Sequence, residues 1–356
     1  MPSLGKPPDT IVHQQEPLNA EPPRAALADA AITPLERFYV RNHGPVPAQC
    51  GALRVGGLVA QPLELSLADL QALPRHELTA TLQCAGNRRE GLIAVRDIPG
   101  EAPWGPGATG TARWAGAALA DVLAAAGVDP AARYVGLGGA DHAEEAVPPQ
   151  HYDISIPLAK ALRPEVLLAW EMNGEPLTSV HGAPLRAVVP GYIGARSVKW
   201  LERVELRREP SDGYYQATAY RLLPEDGVPA PGVGIPLGEV ALNSDILTPG
   251  EGARVAAGAV ELRGYAFAGG DRTVARVEVS ADGGAHWAAA ELLEDQGAWA
   301  WRLWRATLEL AAGRHELTVR AWDSAGATQP EHAATVWNPK GYANSAWSRV
   351  TVDAGS

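Results

Sequence analysis

The stretch from about residue 35 to 235 mixes two hydrophobic periods, one typical of short helices and one typical of strands. Ser66, followed three residues later by Asp69, predicts a capped helix that ends before Pro74. The alanine- and leucine-rich residues 114–126 predict a second helix, which Gly127 would close. We therefore expect short helices among strands in this part of the chain.

A hairpin signal lies further along the same stretch. Residues 165–172 are largely apolar and are followed by Asn173-Gly174, a turn dipeptide that tolerates positive φ at both positions. Residues 175–178 then supply a second short run. The pattern predicts two antiparallel strands joined by a tight turn.

The pattern changes after a stretch rich in proline and glycine at residues 224–238. Short alternating runs, such as residues 260–263 and 317–322, are separated by turns at residues 282–284 and 324–326. Seven of the eleven tryptophans lie in this part of the chain. These features predict a two-sheet immunoglobulin-like sandwich of about 115 residues.

The length of 356 residues favours two domains, because single cores stop growing beyond about 300 residues. We place the first domain at residues 1–235 and the second at residues 236–356. Prolines and polar residues dominate residues 1–35, so this segment is expected to lie over the surface as an extended arm.

The charge of the chain narrows the range of partners. Thirty basic against forty-one acidic residues give a net charge of −11, which argues against a broad nucleic-acid or anionic-membrane surface. No apolar run approaches the roughly 18 residues of a membrane helix, and the first residues lack a signal-peptide or twin-arginine pattern. We expect a cytoplasmic location, although a chain whose leader had been removed would look the same and would be periplasmic.

Two cysteines, Cys50 and Cys84, are too few for a disulfide framework or a multi-thiolate cluster. Cys84 is followed by Gly86, Arg88 and Arg89, so a metal-binding thiolate would have close backbone access and two guanidiniums beside it. These guanidiniums would lower the thiol pKa and donate to an oxyanion. Two alternatives remain open: a buried inert cysteine with solvated arginines, and a disulfide between the two cysteines.

A second polar segment, residues 38–47, places Arg41, Asn42 and His43 in consecutive positions before a proline-bounded turn. Together with the cysteine segment it resembles the sulfite oxidase family of molybdenum enzymes. Further matches follow in the family's order, at residues 155–158, 171–174, 181–182, 186, 189–200 and 337–341. The resemblance implies an α+β fold, in which a mixed α/β domain of the sulfite oxidase type binds one Mo-molybdopterin and an immunoglobulin-like β-sandwich forms a homodimer.

The resemblance also implies a role for each matching side chain. Cys84 would be the thiolate ligand of molybdenum. The residues that would hold the pterin and its phosphate are Arg41, Asn42, His43, Asp141, His181, Arg186, Ser197, Val198 and Lys199. The catalytic set would be Tyr220 as a phenol that assists proton movement, Arg41, Arg89 and Lys340 as substrate-binding cations, and Trp104 as a pocket wall. The choice of Tyr220 over Tyr214 and Tyr215 rests on the resemblance.

Two positions depart from the family's pattern. Lys340 stands where the vertebrate and plant enzymes carry arginine, so a point charge replaces a bidentate fork. Gly100 and Glu101 occupy the region in which some relatives have a lysine. We therefore expect a less positive pocket, and weaker substrate binding, than in those relatives.

The implied reaction is the oxidation of sulfite to sulfate by oxygen-atom transfer at the molybdenum-pterin centre. The chain has no Cys-x-x-Cys-His haem motif, so the electrons would pass to an external acceptor, either oxygen or a c-type cytochrome. The alternatives are a related molybdopterin oxidoreductase acting on another oxyanion or a sulfoxide, for example in nitrate reduction, and a non-enzymatic module built on the sandwich. A second metal site at His142, Glu144, Glu145 and His151 is disfavoured, because two prolines between them break any helical face.

Overall fold

Within residues 5–355, which the computed structural model describes, strands greatly outnumber helices. The α-helices are α1 (Leu67–Gln71), α2 (Arg89–Ile93), α3 (Leu119–Ala126) and α4 (Leu158–Ala161). This architecture confirms the mixed α+β class expected from the sequence. Within residues 5–355, no helix is long and apolar enough to cross a membrane.

Two five-stranded sheets form the body of the first part of the chain. Its strands are β1 (Ile11–Gln14), β2 (Asn19–Glu21), β3 (Leu53–Gly57), β4 (Leu63–Leu65), β5 (Arg75–Gln83), β6 (Thr109–Ala118), β7 (Tyr134–Ala143), β8 (Gln150–Pro157), β9 (Leu167–Met172), β10 (Glu175–Pro176), β11 (Arg186–Val188), β12 (Leu201–Arg207), β13 (Arg221–Leu222) and β14 (Ile235–Pro236). One sheet has the order β10-β9-β6-β5, with β11 also paired to β9, and the other has the order β4-β3-β12-β7-β8. The strands β1 and β2, and the strands β13 and β14, form two small antiparallel ribbons.

The helix predicted over residues 114–126 is wrong in its first half. Residues 109–118 form β6, which pairs with β5 on one side and with β9 on the other, and the helix α3 begins only at Leu119. Small residues are needed here because β9 packs closely: a Cβ on Gly116 would lie 2.0 Å from the backbone oxygen of Leu168. The alanine content of this strand therefore led to the incorrect helix prediction. Gly127 does close α3, with a φ of 72°.

Two local predictions are confirmed. The Ser66 hydroxyl accepts from the Asp69 N–H at 3.2 Å, and the Asp69 carboxylate accepts from the Ser66 N–H at 2.8 Å, so the capping box begins α1. Strands β9 and β10 form the predicted hairpin, with Asn173 and Gly174 at φ values of 56° and 82°. Both features depend on contacts between residues that are close in the sequence.

The N-terminal arm is more buried than expected. Its strand β2 is buried, and the Asn19 side-chain oxygen accepts from the Asn42 N–H at 2.8 Å. The Glu21 carboxylate accepts from the Gly105 N–H at 2.7 Å. The expectation that the arm only lies over the surface is therefore wrong for this segment, because these polar groups tie it to the interior. Residues 1–4 of the predicted arm lie outside the described residues.

The last part of the chain folds as the predicted two-sheet sandwich. Its strands are β15 (Asn243–Thr248), β16 (Ala253–Ala256), β17 (Gly258–Phe267), β18 (Val274–Ser280), β19 (Ala288–Ala289), β20 (Glu291–Leu292), β21 (Arg302–Leu310), β22 (Gly313–Asp323) and β23 (Ser348–Gly355). The sheets have the orders β15-β17-β21-β20 and β16-β23-β22-β18-β19, and they enclose an apolar core of their own. The predicted boundary between residues 235 and 236 falls inside β14, and the division at that point stays a prediction.

A buried ion pair joins the sandwich to the segment that follows Cys84. The Arg88 Nε lies 2.9 Å from the Asp245 carboxylate, and both side chains are more than nine-tenths buried. Beside this pair, the Asn87 side-chain amide donates to the Tyr265 hydroxyl at 2.9 Å. The sandwich therefore fixes the backbone immediately after the cysteine.

Replacing Asp245 with Ala would leave the Arg88 charge buried without this partner. We expect the free energy of unfolding to fall by about 3–5 kcal/mol, the usual cost of breaking a buried ion pair. Chemical denaturation measures this loss. The control Glu261→Ala removes an exposed carboxylate that pairs with Arg263 at 2.7 Å, and it should cost less than about 1 kcal/mol. Equal losses in the two variants would contradict the role given to the buried pair.

Candidate active site

Two cavities meet at Cys84, the residue that follows β5. The inner cavity, of about 660 Å³, contains Asp141 and Arg186 in its wall. The outer cavity, of about 1120 Å³, contains Arg89 and Lys340 in its wall. The residues that line both cavities are Arg41, Asn42, His43, Cys84 and Tyr220.

The predicted site residues divide between the two cavities in the same way as their predicted roles. The residues assigned to the cofactor all line the inner cavity: Arg41, Asn42, His43, Cys84, Asp141, His181, Arg186, Ser197, Val198 and Lys199. The residues assigned to catalysis all line the outer cavity: Arg41, Arg89, Trp104, Tyr220 and Lys340. The fold thus brings the whole set together around one thiol, while the individual roles stay predictions.

Cys84 is a buried free thiol. Cys50 is also free, so the disulfide alternative is wrong for this structure. Burial raises the pKa of the Cys84 thiol, and the nearby Arg89 and Arg41 lower it without overcoming burial. The net reduction in pKa expected from the sequence is therefore not found, because desolvation of the thiolate is the larger effect. A bound metal cation would favour the thiolate by displacing its proton.

The two arginines after the cysteine point in different directions. Arg88 has a φ of 62°, in the left-handed region, and its side chain is directed to Asp245 in the sandwich. Arg89 begins α2 and lines the outer cavity, where its guanidinium lies 5.3 Å from the centre of the Tyr342 ring. Of the two guanidiniums expected beside the thiol, Arg89 alone is at the site, because Arg88 joins the two parts of the chain.

Two buried cations of the inner cavity are held by backbone carbonyl groups. The Arg186 guanidinium donates to the carbonyl oxygen of His181 at 3.0 Å and to that of Ser197 at 2.9 Å. The Lys199 ammonium donates to the carbonyl oxygen of Val180 at 3.0 Å. These neutral acceptors fix the positions of the cations without cancelling their charge.

Positive charge therefore exceeds negative charge in the inner cavity. Burial lowers the pKa of Arg186 to about 10, and burial together with Arg186 lowers the pKa of Lys199 well below its usual value. Asp141 is the one acid among the described residues that line this cavity, and burial raises its pKa to about 6. The side-chain nitrogen of Asn42 is buried and has no hydrogen-bond partner among residues 5–355. The cavity is therefore suited to an anion, which would accept from these donors.

Lys6 is a residue near this cavity that sequence reasoning missed. Its ammonium donates to the carbonyl oxygens of Leu35 at 2.9 Å and Phe38 at 2.6 Å, and it lies 3.4 Å from Nε2 of His181. Burial lowers the pKa of Lys6 to about 8, although Glu36 raises it. No motif marks this lysine, because its position depends on how the arm folds back over the domain.

Tyr220 is the tyrosine that lies between the two cavities. Its hydroxyl is 2.7 Å from Nε2 of His43. The other ring nitrogen of His43 bonds to the Glu145 carboxylate, which also accepts from the Tyr215 hydroxyl at 3.1 Å. Tyr214 lines the outer cavity. A hydrogen-bonded chain thus leads from Tyr220 through His43 to a carboxylate whose side chain is half exposed.

The four residues weighed as a second metal site have separate partners. Glu145 pairs with His43, and His142 lies 3.1 Å from Glu144. The rings of His142 and His151 meet edge to face with their centres 5.3 Å apart. Within the described part of the chain, no three histidine, cysteine or acidic side chains group as metal ligands.

Glu101 offsets part of the positive charge in the outer cavity. Its carboxylate lies 3.3 Å from Nη2 of Arg89 and also bonds to the Lys340 ammonium. Trp104 is buried in the cavity wall, with its ring centre 4.6 Å from that of His13. The outer cavity is therefore less positive than its arginines and lysine alone would make it, and a pocket less positive than in the relatives stays a prediction.

Comparisons with known proteins extend over both parts of the chain. Residues 43–215 match the family described as oxidoreductase molybdopterin binding domain, and residues 236–355 match the Mo-co oxidoreductase dimerisation domain. The sulfite oxidase of Gallus gallus is 43% identical over 363 residues, which cover 96% of this chain and 77% of that protein. The sulfite oxidase of Arabidopsis thaliana is 39% identical over 381 residues, which cover 98% and 95%.

A solved structure agrees with these sequence matches. The sulfane dehydrogenase SoxCD of Paracoccus pantotrophus superposes with a TM-score of 0.81 at 26% identity, over 100% of this chain and 90% of that one. The mixed domain and the sandwich are thus shared together, in the same order. The chain belongs to the sulfite oxidase family of molybdopterin-dependent oxidoreductases, which confirms the resemblance found in its sequence.

Proposed function

We propose that this chain oxidises sulfite to sulfate by oxygen-atom transfer at a mononuclear molybdenum-pterin centre and passes the electrons to an external acceptor. The observation that carries the proposal is the position of Cys84, a buried free thiol where a cationic inner cavity meets an outer cavity that also contains cations. A soft thiolate suits such a metal. Relatives named sulfite oxidase, at 39% and 43% identity over nearly the whole chain, support sulfite as the substrate.

The inner cavity fits Mo-molybdopterin, the cofactor of this family. Its buried cations, Arg186 and Lys199, exceed its acids, so the phosphate of the pterin would supply the missing negative charge. The free amide nitrogen of Asn42 is a further donor at the same wall. When bound, the group supplies the oxygen-atom transfer and takes up the electrons, while the protein supplies its position and surroundings.

The outer cavity fits a small oxyanion. Arg41, Arg89 and Lys340 put positive charge around the site, and charge of this kind offsets the desolvation of an anion such as sulfite. Trp104 is almost fully buried in the wall and keeps water away from that side. These residues therefore bind and orient the substrate next to Cys84.

The hydrogen-bonded chain beside the thiol positions the Tyr220 phenol. Oxidation of sulfite with an oxygen from water releases protons, which must leave a buried site. Burial lowers the pKa of His43 to about 4, so its imidazole is neutral near pH 7 and its Nε2 can accept a hydrogen bond from the Tyr220 hydroxyl. The hydrogen bond to His43 helps to lower the pKa of Glu145 to about 2, so this carboxylate stays ionised near pH 7. In this proposal the Tyr220 hydroxyl assists proton movement at the substrate, His43 orients that hydroxyl, and the half-exposed Glu145 carboxylate holds the His43 ring.

The dimeric state, the electron acceptor and the location of the protein are part of the same proposal. A homodimer formed through the sandwich is supported by the match of residues 236–355 to the dimerisation domain. Oxygen or a c-type cytochrome as the acceptor stays a prediction, and so does the cytoplasmic location.

Cys84→Ser removes the soft ligand and keeps nearly the same volume. We expect the rate of sulfite oxidation to fall by more than about a hundredfold, because loss of a direct metal ligand should exceed the loss usual for its supporting residues. A steady-state assay with ferricyanide as acceptor measures the rate. Cys50→Ser changes the other free cysteine in the same way and should retain activity. Full turnover by Cys84→Ser would reject the ligand role.

Tyr220→Phe removes the hydroxyl that bonds to His43. We expect kcat to fall by about 10²-fold or more, because a proton-transfer group is lost. The change in KM should be smaller, because the cationic side chains that bind the substrate remain. The matched variant Tyr214→Phe lacks a hydroxyl that also borders the outer cavity. A larger loss of kcat in Tyr214→Phe than in Tyr220→Phe would move the phenol assignment to Tyr214.

A further inference from the structure

The outer cavity contains a carboxylate in the position where an oxyanion would be expected. Glu101 bridges two of the three cations proposed to bind the substrate, Arg89 and Lys340. Its side chain is 18% exposed, so the bridge is largely shielded from water. One side chain thus neutralises charges that are needed for an anionic substrate.

Three of the five N–H groups of Arg89 already have partners. Its Nη1 donates to the carbonyl oxygen of Ala102 at 2.9 Å, and its Nε faces the carbonyl oxygens of Lys340 at 3.1 Å and Gly341 at 3.3 Å. Nη2 is the nitrogen directed to Glu101. An oxyanion that binds Arg89 at Nη2 must therefore share this nitrogen with the Glu101 carboxylate or displace the carboxylate.

Lys340 is in the same situation. Its ammonium bonds to the other oxygen of the Glu101 carboxylate. An ammonium has three donors and can rotate, so an incoming anion can share it or displace the carboxylate. Both cations can therefore change partner without a change in the backbone.

We propose that Glu101 is a specificity-determining residue that competes with substrate and product oxyanions for Arg89 and Lys340. The identity of the substrate rests on the proposed function, but the competition applies to any oxyanion that enters the cavity. Because the carboxylate repels a dianion more strongly than a monoanion, Glu101 weakens the binding of sulfate and sulfite dianions. The consequence is weaker binding of a dianionic product, and hence weaker product inhibition, together with a higher KM for the substrate.

A purely structural ion pair would have the opposite effect when removed. If Glu101 only held Arg89 and Lys340 in place, its loss would disorder the cations and weaken the binding of anions. If it competes, its loss frees two donors and strengthens the binding. The sign of the change in anion affinity therefore separates the two roles.

The test is the affinity of the purified holoenzyme for sulfate at constant ionic strength. For Glu101→Gln, which keeps the shape and removes the charge, we expect sulfate to bind about tenfold more tightly by titration calorimetry. We expect the KM for sulfite to fall by a similar factor, with kcat changing less than about twofold. Glu225→Gln removes an exposed carboxylate that pairs with Arg96 at 3.0 Å, and it should leave both constants unchanged.

A second variant keeps the test decisive if Glu101→Gln does not fold. Glu101→Asp shortens the side chain, which weakens the bridge, and should give a smaller tightening of sulfate binding. Unchanged or weaker sulfate binding in the folded variants would overturn the proposal. Sulfate binding does not depend on turnover, so a protein that fails to oxidise sulfite would reject the proposed function and still report on Glu101.

Discussion

The desolvation of buried cationic side chains is the physical constraint on which both cavities depend. Arg186 and Lys199 lie in the inner cavity with lowered pKa values, so holding them charged requires fixed acceptors and a nearby anion. The backbone supplies acceptors at His181, Ser197 and Val180, which ties these loops to the cations. The anion is left for the cofactor to supply. A chain with a net charge of −11 can therefore bind anions, because the positive charge is concentrated where water is excluded.

The sandwich also helps to build the site around Cys84. This role is separate from the dimerisation that the description of its family indicates. The pair between Arg88 and Asp245 anchors the segment after Cys84, and Arg89 donates to the backbone of Lys340 at 3.1 Å. The direction of the Arg89 guanidinium is thus set by the second part of the chain. Separating the two parts would remove Lys340 and Tyr342, and with them one wall of the outer cavity.

Features that depend on neighbouring residues could be predicted from the sequence, and features that depend on the tertiary fold could not. The cap at Ser66 and the hairpin after β9 follow from contacts within a few residues. The residues of the two cavities were found together because the family's segments carry them in a fixed order. Strand β6 was missed because its small residues, such as Gly116, are required by close packing against β9 and not by a strand propensity that the sequence would show. The bridge from Glu101 to Lys340 and the contact of Lys6 with His181 span 239 and 175 residues, which no local pattern encodes.

The central claim is a bond between the sulfur of Cys84 and molybdenum. X-ray absorption at the molybdenum edge counts the sulfur atoms around the metal in the purified protein. The account predicts stoichiometric molybdenum in the native chain, with one sulfur neighbour more than in the Cys84→Ser variant, because the sulfurs of the pterin remain in both. An equal sulfur count in the two proteins, or a native chain without molybdenum when the host makes the cofactor, would contradict it.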